Sequence, residues 1–183
     1  MDGTLFARQP IFDRQSKVVG YELLFRNSTG QAGLVTDSGD YESTQVLTSV
    51  LLGANNQWLE GKRAFINFTR NLLDQVPDFA KGTLVVEILE DVHTDPDLPL
   101  LLADIKNRGH IIALDDFRMV PNGEKLIRLA DIVKIDVLDD HEDLPALLEL
   151  IKSHKCEVLA EKVETREQYR QSLDMGFDLF QGY

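Results

Sequence analysis

Carboxylates, one side-chain amide and one lysine recur near the ends of short apolar runs: Glu22, Asn67, Glu87, Asp115 beside Asp116, Lys134 two residues before Asp136, Glu161 and Gln181. Side chains two apart on a strand share a face, so Val85 with Glu87, Ala113 with Asp115, Lys134 with Asp136 and Leu159 with Glu161 point pairwise the same way. Each polar residue falls in the later half of its run. In a barrel of parallel strands that gathers them at the C-terminal mouth, where such barrels carry their chemistry. Carboxylates sharing one mouth repel each other or take up protons unless cations compensate. Oxygen donors from Glu, Asp and Asn, with one cysteine and no histidine spacing for zinc, favour Mg²⁺ or Mn²⁺. Two adjacent aspartates can feed two ions, the arrangement that activates water and stabilises a leaving oxygen in phosphodiester cleavage.

Taken singly, each residue has a plainer reading. A strand-end Asp or Glu often caps the next helix or faces water, Asn67 can begin the turn before a helix at 70–77, and Gln181 can be solvated at a chain end. Recurrence across seven strands is what points to a shared site. The histidines (His93, His110, His141, His154) read as loop or helix-surface residues and are assigned no role, and Trp58 and Phe68 read as core.

The elements that must position these groups alternate regularly. From residue 64 onward the strand-like runs are 64–69, 83–89, 110–117, 132–138, 156–163 and 178–183, six in all, separated by helix-length gaps. Runs apolar on both faces, such as LVVEI and IIAL, suit parallel strands covered on both sides, in a barrel or a doubly wound sheet. The segment LPLLLADIKNRG has helical periodicity and a glycine stop, and Thr165 with Gln168 has the spacing of a capping box. Upstream, 10–13 and 18–26 flank the polar RQSK as an antiparallel hairpin. Counting both arms gives the eight strands of a TIM-like (β/α)₈ barrel whose first strand is antiparallel. Residues 27–40 read as a loop and 41–61 as an amphipathic helix; the sequence stops at its last strand, so a closing C-terminal helix is expected to be missing.

Composition narrows the function classes. A net charge of −12, with 19 basic and 31 acidic residues, argues against DNA, RNA or an anionic membrane as partner, since each requires a positive field. An anionic ligand would then need metal ions or a local basic group. No run approaches the roughly 20 apolar residues of a membrane span, and the start lacks the apolar core of a secretory signal. Cys156 is the only cysteine and lies in an apolar run, compatible with a reducing cytoplasm. At 183 residues and 43% hydrophobic, one domain over 1–183 is the expectation.

At these residues the sequence resembles the EAL family of cyclic di-GMP phosphodiesterases, from Gln9 to Tyr183. Gln9-Pro10-Ile11, Gly20-Tyr21-Glu22-Leu23-Leu24-Phe25-Arg26, Phe65-Ile66-Asn67-Phe68-Thr69, Glu87-Ile88-Leu89-Glu90, Asp115-Asp116-Phe117, Lys134-Ile135-Asp136, Glu161-Lys162-Val163-Glu164 and Gln181-Gly182-Tyr183 are similar to its ordered motifs. The resemblance implies a metal held by Glu22, Asn67, Glu87 and Asp115, with Asp115 and Asp116 reaching a second. It also implies Lys134 orienting the attacking water, Glu161 as general base or metal-site partner, Gln181 supporting the site, Gln9 and Arg26 contacting the dinucleotide, and Glu90 bracing the loop after Asp116. The implied reaction is hydrolysis of cyclic di-GMP to the linear dinucleotide with Mg²⁺ or Mn²⁺.

The sequence departs from the family pattern where Arg118-Met119-Val120-Pro121 stands in place of Gly-Thr-Gly, where Lys162 replaces a glycine, and in a shortened stretch between Arg26 and Asn67. These departures resemble EAL domains that precede an HDOD domain. They keep open a catalytically degenerate receptor or interaction module as the alternative, and an unrelated barrel acting on another phosphate ester as a remoter one. A homodimer and an HDOD domain in the full-length protein are the expected protein partners.

Overall fold

The computed structural model describes residues 5–26, 59, 61–77, 81–92, 95–141 and 143–182, with the side chains of Leu5, Phe6, Phe25 and Arg26 outside that description. The expected loop 27–40, most of the helix expected at 41–61, and Trp58 also fall outside it.

Eight strands close into a barrel in sequence order. They are β1 (Leu5–Asp13), β2 (Val18–Arg26), β3 (Arg63–Phe68), β4 (Leu84–Ile88), β5 (Ile111–Leu114), β6 (Ile132–Asp136), β7 (Glu157–Val163) and β8 (Leu179–Gly182). Strand β1 runs antiparallel to both its neighbours, β2 and β8, and the remaining pairs are parallel. The fold is thus the (β/α)₈ type with an antiparallel first strand. Helices α1 (Leu98–Asn107), α2 (Gly123–Leu129), α3 (Leu144–Ser153) and α4 (Arg166–Met175) cross between strands. The helix read at 70–77 is a shorter 3₁₀ turn, Arg70–Gln75, and a second 3₁₀ turn spans Glu90–Val92.

Local chemistry sets these boundaries. Helix α4 begins with the expected capping box, in which Thr165 Oγ1 accepts from Gln168 N and Gln168 Oε1 accepts from Thr165 N. The Asp143 carboxylate caps α3 by accepting from Ala146 N at 3.0 Å. Strand β5 is shorter than the run 110–117, because Asp116 turns the chain with φ of 40° and leaves Asp115 and Asp116 in the turn after Leu114.

Two cores result. The larger lies between the outer strand faces and the helices and includes Val86, Ile112, Val133, Leu102, Ile151 and Phe68. The smaller fills the barrel and consists of Ile11, Phe65, Val85, Ala113, Ile132, Leu159 and Leu179. Gly20 on β2 belongs at the same level: a Cβ there would stand 2.6 Å from Phe65 Cε2, so the glycine makes room for the phenyl ring. Among the described residues no helix is long and apolar enough to cross a membrane.

Candidate active site

Moving two residues along each strand from the barrel's apolar filling reaches a charged layer. Phe65 leads to Asn67, Val85 to Glu87, Ala113 to Asp115, Ile132 to Lys134, Leu159 to Glu161 and Leu179 to Gln181. On the antiparallel β1 the step runs the other way, from Ile11 to Gln9. Glu22 pairs with Gln9 across the β1–β2 ladder. Parity and chain direction therefore bring these groups to one end of the barrel.

Lys134 stands amid them. Its Nζ lies 2.5 Å from Asp115 Oδ1, 2.7 Å from Glu87 Oε1, 2.9 Å from Glu161 Oε1 and 3.6 Å from Glu22 Oε2. Burial alone would lower the lysine's pKa, but the carboxylates of Glu87, Asp115, Glu22 and Glu161 offset it and hold the ammonium well above the ordinary lysine range. Burial pushes the fully buried Glu87 carboxyl well above the usual carboxylate range, against the pull of Lys134. It also pushes Glu161 up to about 7. One ammonium among four carboxylates leaves the layer short of positive charge.

Amides lock the rest. Asn67 Nδ2 donates to Glu22 Oε1 at 3.2 Å, and Gln181 Nε2 donates to Glu22 Oε2 and to Gln9 Oε1, the latter at 3.1 Å. Gln9 Nε2 donates in turn to the Gly182 carbonyl. A side chain at Gly182 would collide with Val163 O at 1.9 Å, so β8 closes on β7 only with glycine there.

An open cavity of about 350 Å³ covers this layer, with walls from Gln9, Glu22, Asp115, Asp116, Glu161, Lys162, Glu164, Gln181 and Gly182. Asp116 is half-buried there, and its carboxyl is raised first by burial and then by neighbouring Asp115. Glu87 and Lys134 lie fully buried.

The structure thus brings together Gln9, Glu22, Asn67, Glu87, Asp115, Asp116, Lys134, Glu161 and Gln181. Arg26 ends β2, and its side chain is outside the description. The brace expected from Glu90 is not seen among the described residues. Glu90 is exposed, and the loop after Asp116 is tied instead by Arg118 Nη2 to Asp139 Oδ2 at 2.5 Å. Three contributors had been given no role: Asp136, whose buried carboxylate pairs with Lys162 Nζ and accepts from Leu138 N, Lys162 itself, and Glu164 on the cavity wall. The period-two step from Lys134 to Asp136 is a readable signal, and Lys162 and Glu164 lie in the motif that begins at Glu161, with Lys162 at a position where the family pattern has glycine.

The donor set suits a hard divalent cation. Glu87 Oε2 and Glu161 Oε2 are buried and accept no hydrogen bond among the described residues, so the layer has oxygen donors with free capacity that a divalent cation would fit. No trio of carboxylates or imidazoles among the described residues is already gathered as a metal shell, since the carboxylates turn toward Lys134.

Known proteins agree with this architecture. The family model for the EAL domain matches residues 41–183. The chain is 41% identical to YuxH, an uncharacterized Bacillus subtilis protein, over 97% of this chain and 45% of YuxH. It is 33% identical to the Vibrio cholerae cyclic di-GMP phosphodiesterase CdgJ, over 98% of this chain and 43% of CdgJ. It therefore spans less than half of either relative. Among solved structures, Klebsiella pneumoniae BlrP1 in a manganese and cyclic di-GMP complex superposes with a TM-score of 0.81 at 22% identity, covering 100% of this chain and 56% of that one. Bacillus subtilis YkuI, a protein with an EAL domain solved with substrate cyclic di-GMP and calcium, gives 0.77 at 24% identity, covering 100% and 54%. With the family model spanning most of the sequence and the barrel matching throughout, the chain belongs to the EAL domain family.

Proposed function

We propose that residues 1–183 form one EAL-type barrel unit that hydrolyses one phosphodiester bond of cyclic di-GMP to give the linear dinucleotide, with Mg²⁺ or Mn²⁺. The observation that carries this reading is the charged layer: four carboxylates around one buried lysine, beneath a cavity walled by further carboxylates and amides. The substrate class is supported by CdgJ, whose name states that activity.

In this reading Glu22, Asn67, Glu87 and Asp115 would hold one divalent ion, and Asp115 with Asp116 a second. Bound there, such ions polarise a phosphoryl oxygen and lower the pKa of water. Glu161, with its carboxyl near 7, takes the proton of the attacking water at neutral pH. Lys134 orients that water from the barrel side, its ammonium fixed by four carboxylates. Gln181 fixes Glu22 and Gln9, while Gln9 and Arg26 contact the nucleotide. A dianionic ligand entering a cavity with this many carboxylates needs the cations first.

One observation favours a second reading, a receptor that binds without turnover. The loop that sets Asp116 carries Arg118 to Pro121, is pinned at Asp139, and leaves Asp116 at φ of 40° with a side chain to accommodate. Incubation with cyclic di-GMP and Mg²⁺ or Mn²⁺, followed by chromatographic separation, distinguishes the two. Linear dinucleotide that vanishes in excess chelator supports the enzyme, and metal-dependent binding without product supports the receptor. Neither binding nor product would overturn both. The cytoplasm, a homodimer and an HDOD domain elsewhere in the full-length protein complete the proposal.

A further inference from the structure

Lys162 is a cation placed where the backbone resists one. Its φ is 56°, in the left-handed region that favours glycine, at the point where the β7–β8 register slips between Ala160 and Val163. The side chain nonetheless turns to the mouth: its Nζ pairs with the buried Asp136 carboxylate, and the residue lines the cavity together with Glu161 and Asp116. Asp116 and Glu161 both lie within electrostatic reach of that ammonium. Lys134 forms its ion pairs with Asp115, Glu87, Glu161 and Glu22 inside the barrel, whereas at Asp116 the charge of Lys162 acts more strongly than that of Lys134.

We infer that Lys162 is a tethered cation that supplies on the Asp116 side the positive charge a second divalent ion would otherwise supply. The mouth then loads one divalent ion tightly and a second only weakly. This inference rests on the metal reading of the mouth given above. Its physical basis is like-charge repulsion, since an ammonium tethered on the wall of the same cavity as Asp116 opposes an incoming dication. Shifts of about one to three pKa units between neighbouring charged groups set the scale, so the second ion should be weakened at least about tenfold.

Mn²⁺ titration read by the electron paramagnetic signal of the free ion tests this without any turnover. For the unaltered chain one tight Mn²⁺ is expected, with a second at least about tenfold weaker. Lys162→Gln removes the charge and keeps the Cβ. Lys162→Gly also removes the positive-φ strain, so it is not expected to compromise folding. Both should tighten the second ion about tenfold, while Lys162→Arg should titrate like the parent. Two ions of equal affinity in the parent and in Lys162→Gln would overturn the inference and leave the metal site standing. A gain confined to Lys162→Gly would overturn it too, by assigning the effect to the backbone. No Mn²⁺ bound by parent or variants would remove the metal reading itself.

Discussion

Two neighbouring layers inside the barrel are built on the same strands from opposite chemistry. The lower one, formed by Phe65, Val85, Ala113, Ile132 and Leu159, is apolar and fully buried; the upper one, two residues further on, is Asn67, Glu87, Asp115, Lys134 and Glu161.

 Val85 and Glu87 are both fully buried, yet they bear on stability in opposite ways. Burying the lower layer is favourable in proportion to its apolar area, at about 25 cal/mol per Å². Burying the upper layer costs desolvation, which Lys134 offsets only in part. Inside the barrel, stability is therefore supplied by the Phe65 and Leu159 level, which supports a layer above with unbalanced charge.

The sharpest test of that division is a change that alters chemistry and spares the scaffold. Glu161→Gln is nearly isosteric and removes a carboxylate from an over-acidic layer. Under the proposed function, hydrolysis should fall by about 10²–10⁴-fold, while cyclic di-GMP affinity in Mn²⁺ changes only a few-fold, because a base acts chiefly in the transition state. Undiminished turnover would show that the base lies elsewhere. Lys134→Met breaks the comparison from the other side. Four carboxylates then lose their shared ammonium, and the metal-free protein should lose about 3–5 kcal/mol at pH 8 in urea denaturation. Saturating Mn²⁺ should restore part of that loss. A variant as stable as the parent in chelator would mean that the ammonium does not hold the layer together.

Much of this organisation is legible in the sequence because burial on both strand faces and the period of two leave strong marks. The six runs from residue 64 onward all become strands, and the hairpin 10–26 becomes β1 and β2. The layer of Asn67, Glu87, Asp115, Lys134, Glu161 and Gln181 follows from the same parity. What period and polarity do not encode is backbone sign and cross-barrel distance. Nothing in the sequence announces that Asp116 turns at positive φ and ends β5 early, or that Lys162, at a position where the family pattern has glycine, reaches Asp136. Lys134 is readable as an inward lysine, but its four carboxylate partners lie on four other strands or strand ends and are assembled only by closure of the barrel. Arg118 pairs with Asp139, 21 residues away, for the same reason.

Acidity separates the two layers without any mutation. Folded Glu161 holds its proton up to about pH 7, whereas an unfolded glutamate releases it near the ordinary carboxyl value. Between these values the folded state binds more protons, so metal-free stability must fall as pH rises through the window from about 5 to 7. The buried Glu87, also raised, adds to the same slope. The expected loss is about 1–3 kcal/mol, measured by urea denaturation in chelator at successive pH values. Glu161→Gln should reduce the slope and leave the share that belongs to Glu87. Leu159→Ala, in the apolar layer, should lower the whole curve and leave the slope alone. Metal-free stability that rises over this range would show that the carboxyls titrate normally.

The smallest effect is expected at Gly20, where the lower layer meets β2. An added methyl would stand 2.6 Å from Phe65 Cε2 and 3.1 Å from the Arg63 carbonyl oxygen. Phe65 is fully buried in the barrel filling, packed with Val85, Ala113 and Leu159, and has no open space to turn into. Gly20→Ala should therefore cost about 1–2 kcal/mol by overpacking. The loss belongs to the contact with the ring, so it should shrink when Phe65→Leu vacates that space. In a double-mutant cycle the pair should cost less than the two single changes added together, with a coupling of about 1 kcal/mol. Additive losses would place the strain at the Arg63 carbonyl instead. Because Gly20 and Phe65 sit one step below Glu22 and Asn67, the double variant should also keep the parent's Mn²⁺ affinity. A changed affinity would mean that the apolar layer does more than carry the charged one, by setting the spacing of its ligands.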